Sequence, residues 1–317
     1  MLSKDKIRLI IQKLKLGFII VLIMHTGCQN SKTEIVKNKQ FIEIEDGVKL
    51  WVETFGNIEN KACMFISGAG ANSSFWSDRL CDNLVRDGFF VIRYDHRDIG
   101  YSSVTDFENN PYDVMQLAKD ALLILDSLGI EQSHVIGHSM GGFIVQLLGI
   151  HYPKRIITLT SASASTNSPD VPAPPDETWG IFIKNRPQNN YNKDLPGFLL
   201  VWEYLNGTAE FDEELAIEYT KNIYEKQDVD GALGESHVNA QANLNDRSEL
   251  LKQVAIPTLI IHGEEDYLVD KYGGIQTAEC IENSELVLIP KMGHIPFNQE
   301  IKLRFENEII KFLIENK

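Results

Sequence analysis

Ser139 sits in "HVIGHSMGGF", a Gly-x-Ser-x-Gly pattern between a buried-looking apolar run and the start of a helical one. A serine hydroxyl is a weak nucleophile until a neighbouring base takes its proton. The pattern therefore carries chemistry only if the rest of the chain supplies that base, an acid to orient it, and donors for the negative charge that develops on an attacked carbonyl oxygen. Of eight histidines, His294 in "PKMGHIPF" follows the last apolar strand on a glycine-preceded loop and is the expected base. His96, His134, His138, His151 and His262 fall in or beside strands and read as structural, and His25 precedes the domain. His237 lies in a helical stretch and is a candidate for lining a pocket. Asp266, just beyond the turn that ends "TLIIHG", is the expected acid, whereas Glu264, Glu265 and Asp270 read as solvated. Asp120 and Asp126, on a helix well before Ser139, read as surface or helix-dipole residues. The order serine, acid, histidine along the chain is that of a known triad arrangement. The expected oxyanion donors are the Met140 amide, at a helix N-terminus where N–H groups are free, and the Ala69 amide in "ISGAGANSS", with Gly70 next in line.

These residues need strands that end at one edge. After a hairpin signal, "FIEIEDGVKLWVETFG" around Asp46-Gly47, the buried runs "ACMFIS", "FVIRYD", "SHVIGH" and "RIITLTSA" alternate with helical patterns. That rhythm predicts an α/β fold with a mostly parallel central sheet, helices on both faces and right-handed crossovers. It stops at about Ser163 and resumes with "IPTLIIHG". The chain therefore divides into a core over 40–162 and 252–317 and a helical cap over 163–251. Trp76, His138, Trp179, Trp202 and His237 are the candidate pocket residues. Aromatics at helical spacing in the cap, Phe198 and Tyr204 among them, also suit packing.

A basic start, the apolar "LGFIIVLIM" and then "HTGCQN" predict a secretory signal peptide over 1–27. Cys28 is expected to be lipidated, and residues 28–39 to tether an exported, membrane-anchored lipoprotein of the bacterial envelope. Cys63, Cys81 and Cys280 show no metal-ligand or disulfide spacing and read as small buried residues. A formal charge of −15 disfavours nucleic acid, since phosphate backbones need clustered cations. The membrane is met only through the lipid, and no metal site is expected.

Taken together, from about Phe41 to Lys317 the chain resembles the α/β-hydrolase fold superfamily. "VIRYDHRDIGYSS" is similar to that family's Asp-x-Arg-x-x-Gly-x-Ser stretch. "PYDVMQLAKDALLILDSLGI", "HVIGHSMGG", "GTAEFDEE" and "IPKMGHIPF" resemble the branch holding the aclacinomycin-type methylesterases. The resemblance implies hydrolysis of a small-molecule carboxylic ester, without a cofactor, beneath a helical cap. It departs from the family at Ser67-Gly68, where His-Gly is commoner. Lactonase, peptidase or cofactor-free perhydrolase chemistry, or a non-catalytic ligand-binding role, are the alternatives on the same fold.

Overall fold

The computed structural model describes residues 35–45, 47–226 and 234–317. The expected signal peptide, Cys28 and the start of the tether lie outside the described residues. β1 (Lys37–Glu43) opens ahead of residue 40 and pairs antiparallel with β2 (Lys49–Phe55), Phe41 facing Trp51. Gly47 lies between them with φ +81°, although Asp46, the other half of the expected turn, is outside the described residues. The other strands are β3 (Lys61–Ile66), β4 (Phe89–Tyr94), β5 (Ser133–His138), β6 (Ile156–Ala162), β7 (Thr258–Gly263) and β8 (Ser284–Ile289). Their order is β1-β2-β4-β3-β5-β6-β7-β8, and every pair from β4 to β8 is parallel. β4, β5 and β7 are buried along their whole length, which is why they read as continuous rather than alternating apolar runs.

The helices of the first half are α1 (Asp78–Arg86), α2 (Val114–Ser127) and α3 (Met140–His151). Ser73–Phe75 is a short 3-10 turn, and Ser77 then caps α1 by accepting from the Leu80 amide. Asp120 on α2 departs from the surface position expected of it. It is not a surface residue but is 1% exposed, and its two oxygens accept from Arg97 Nε and Nη2 at 2.7 and 2.6 Å. Arg97 arrives from the loop after β4, so no pattern within α2 could announce its partner. Asp126 does lie at the surface, paired with Arg155.

Between β6 and β7 stand α4 (Asp176–Lys184), α5 (Tyr191–Asn206), α6 (Glu213–Glu225), α7 (Glu235–Ala240) and α8 (Ser248–Leu251). This is the helical insertion. It has an apolar centre of its own, made of Val201, Trp202, Leu205, Ala216 and Ile223, with Phe297 joining from beyond β8. Buried Arg247 closes the insertion against the core, donating to Gln146 Oε1 on α3 and to the Ser165 carbonyl. The last helices, α9 (Lys271–Cys280) and α10 (Gln299–Glu315), flank β8 in sequence. Among the described residues no helix is long and apolar enough to cross a membrane. Cys63, Cys81 and Cys280 are free, and burial pushes the Cys81 thiol up to about 12.

Candidate active site

Parallel strands bring their C-terminal ends to one edge, and the three expected residues follow β5, β7 and β8 there. Ser139 links β5 to α3 with φ 55° and ψ −119°, a conformation side-chain-bearing residues rarely adopt. The surroundings hold it: Ser139 N–H donates to the Ala162 carbonyl, and the Ser139 carbonyl accepts from Phe143 N. The glycines on either side are a steric necessity. A Cβ on Gly137 would lie 2.0 Å from the Gly141 oxygen, and one on Gly141 would lie 2.2 Å from the Ile66 oxygen.

His294 Nε2 lies 3.0 Å from Ser139 Oγ, and its Nδ1 lies 2.7 Å from Asp266 Oδ2. The carboxylate can only accept, so Nδ1 carries the proton and Nε2 is left free to take one from serine. Asp266 Oδ1 accepts from the Leu268 and Val269 amides at 2.9 and 2.8 Å. His262 Nε2 stands 3.4 Å from Oδ2 while donating to the Val269 carbonyl. Burial by itself would raise the Asp266 pKa. Electrostatic attraction to His294 and hydrogen bonds from His262 and His294 outweigh it and hold the carboxyl below its ordinary range. The other acids of this loop are elsewhere: Glu265 accepts from Thr208 N, and Asp270 caps α9.

Gly68 backs onto the serine, since a Cβ placed on it would lie 3.1 Å from Ser139 Cβ. Neither the Ala69 nor the Met140 N–H has an acceptor among the described residues. Gly70, the second choice for oxyanion donor, is not available, because its N–H donates to His237 Nδ1 at 3.1 Å. Ser67, standing where His is commoner, donates its hydroxyl to the Asn72 carbonyl, and its own carbonyl accepts from His96 Nε2 at 3.1 Å.

The candidate pocket residues do not form one lining. His138 donates Nε2–H to the His294 carbonyl at 2.8 Å and stacks on Phe75, so it supports the loop that carries His294. Trp76 packs between Phe65, Phe75 and Phe305 and borders a cavity of about 30 Å³, room for a water rather than a substrate. Trp202 is buried in the cap, where its indole N–H is taken by Thr220. Trp179 is half exposed on α4. His237 is fully buried, with both ring nitrogens engaged. Its place against the loop of Ala69 is not legible in the sequence, whereas His96, His138 and His262 take the structural parts expected of them, each bonding a backbone carbonyl. His237 carries no local signal of that role beyond being a histidine. Among the described residues no group of His, Cys, Asp and Glu is placed to hold a metal.

The fold and the edge where these side chains meet define a hydrolase of the α/β type. The α/β hydrolase fold family model matches residues 62–300, and the chain belongs to that family. It is 30% identical over 248 residues to 3-oxoadipate enol-lactonase 2 of Acinetobacter baylyi, covering 78% of this chain and 87% of that one. It is 37% identical over 172 residues to a rhodomycin D methylesterase of Streptomyces peucetius, covering 54% of this chain. The chain spans about half the length of the methylesterases it matches, 56% of that one and 39% of one from another Streptomyces. Among solved structures, a hydrolase of Pseudomonas aeruginosa superposes with a TM-score of 0.68 at 26% identity, covering 87% of this chain and 98% of the other.

Proposed function

We propose that this protein hydrolyses a small carboxylic ester or lactone through an acyl-enzyme on Ser139. The observation that carries the reading is the unbroken chain Asp266–His294–Ser139, set on a strained turn beside two amides that have no acceptor among the described residues. His294 Nε2 takes the Ser139 proton as Oγ attacks the carbonyl carbon. The amides of Ala69 and Met140 hold the resulting oxyanion. The tetrahedral intermediate collapses as the carbonyl re-forms, the ester C–O bond breaks, and His294 returns the proton to the leaving alkoxide. Water, deprotonated by the same histidine, then attacks the acyl-enzyme and releases the acid and free serine. No cofactor enters these steps.

The enol-lactonase likeness, spread over 87% of that enzyme, favours the lactone, while the higher-identity but shorter methylesterase likeness favours a methyl ester. Labelling by a fluorophosphonate probe, with hydrolysis of p-nitrophenyl acetate, a methyl ester and a γ-lactone in parallel, tests both levels. Probe labelling lost in Ser139→Ala supports the acyl-enzyme. Equal labelling of S139A and wild type sinks it, and the panel ranks the two substrates. Export and lipidation at Cys28 are proposed from the order of charge and hydropathy before residue 29. They predict labelling by a fatty-acid analogue that disappears in Cys28→Ser.

A further inference from the structure

We propose that His237 is a positioning residue through which the cap holds the oxyanion loop, an inference that rests on the Ser139 reading above. The imidazole is 0% exposed, and its two nitrogens are spent in opposite directions. Nδ1 accepts from the Gly70 amide at 3.1 Å, and Nε2–H donates to the Arg97 carbonyl at 2.7 Å. Only the neutral tautomer protonated on Nε2 makes both bonds. Burial pushes the His237 pKa down, against smaller opposing effects of the Arg97 carbonyl and Asp98, so Nδ1 stays an acceptor at neutral pH.

The anchor at the far side is itself rigid, because the Arg97 guanidinium is held by both oxygens of buried Asp120. A second contact comes from the residue that precedes α7. Gly234, at φ +77°, is pressed so close that a Cβ on it would lie 2.6 Å from Gly70 Cα. The loop is secured at its other end by His96, whose Nε2–H donates to the Ser67 carbonyl. Between these two histidine-held points lie the Gly68 and Ala69 amides, the latter without an acceptor among the described residues. A donor preorganised in this way stabilises an oxyanion without rearranging during the reaction, and losing one typically costs two to three orders of magnitude in kcat.

Two substitutions separate the bond to Gly70 from the bond to Arg97. In His237→Asn the amide oxygen can stand where Nδ1 stood and accept from Gly70. In His237→Gln the longer side chain reaches the Nε2 position, keeps the Arg97 contact and leaves the Gly70 N–H without an acceptor. With p-nitrophenyl acetate, H237Q should lose about 10- to 100-fold in kcat with KM within about twofold, while H237N stays within about threefold of wild type. Phenylboronic acid, which forms a tetrahedral adduct on the serine, should bind H237Q more weakly in parallel with the kcat loss. Thermal unfolding followed by circular dichroism checks that the variants are folded. Should H237Q fail to fold, Gly234→Ala, which drives a methyl group at Gly70, should lower kcat and boronate affinity together. Wild-type kcat and boronate affinity in a folded H237Q or G234A, with S139A inactive, would overturn the role of His237 alone. Full activity in S139A would overturn the serine mechanism, and the His237 proposal with it.

Discussion

Asp266→Asn tests the site through one atom exchange whose outcome the surroundings dictate. Oδ1 of Asp266 accepts from two backbone amides, those of Leu268 and Val269, at 2.9 and 2.8 Å. An asparagine side chain must therefore keep its oxygen there, since an NH₂ would face two donors. That orientation puts the NH₂ where Oδ2 was, toward His294 Nδ1. The imidazole can then satisfy the contact only by moving its proton to Nε2, the nitrogen 3.0 Å from Ser139 Oγ. A protonated Nε2 cannot accept the serine proton, so the base is lost although the geometry is kept. Losses of about four orders of magnitude in kcat are typical of this tautomer error, equivalent to ~5 kcal/mol of transition-state stabilisation. KM, which reflects pocket contacts that the exchange does not touch, should change less than about threefold. Steady-state hydrolysis of p-nitrophenyl acetate reads both, and the rate of fluorophosphonate labelling reports the nucleophile independently. D266N within tenfold of wild type on either readout would refute the assignment of Asp266 as the residue that sets the His294 tautomer.

Acid should unfold the protein through its buried neutral histidines. Burial lowers His96 and His138 to about 3 and His134 to about 4, from 6.5, and the charges of neighbouring His237, His294 and Lys61 respectively add to it. Because the unfolded chain takes up more protons below pH 6.5, the stability these groups carry is complete above that pH and is lost as pH falls toward 3–4. The loss is about 2 kcal/mol per histidine between pH 7 and pH 5. Asp95, raised by burial, works in the opposite sense at the acidic end. Urea unfolding at the two pH values measures the total, and His134→Gln should shrink the pH-dependent part by about one such increment. An unchanged pH dependence in H134Q would contradict the argument. Asp120→Ala, which strands the buried Arg97 guanidinium, should cost roughly 3–5 kcal/mol, and a variant with wild-type urea midpoint would show the pair to be dispensable. Gly141→Ala, whose methyl group would meet the Ile66 carbonyl, should abolish fluorophosphonate labelling or the fold. A folded and fully labelled G141A would mean that the turn yields more easily than its contacts imply.

What could be read in the sequence divides along the range of the interactions involved. Core strands and helices announced themselves because burial imposes a period on neighbouring residues, and the strand ends then located Ser139, Asp266 and His294 at one edge. Asp120 was misjudged because its charge looked like a surface feature, and only the arrival of Arg97 makes its burial tolerable. In the cap the failure is of another kind. Trp179, Trp202 and His237 could be named as aromatic or titratable, but nothing local distinguishes a half-exposed ring, a packed one and a hydrogen-bonding one.

His237 shows why. Its partner Gly70 is 167 residues away, and the bond consumes an amide that the sequence offered as an alternative oxyanion donor. A residue that reads as pocket lining thus settles which backbone group of the loop stays free. The Gly70 N–H is taken by His237, while the Ala69 N–H has no acceptor among the described residues. The insertion that divides the core in sequence therefore also braces the loop beside Ser139, and substitutions in α7 should be read first for their effect on rate and only then for their effect on substrate choice.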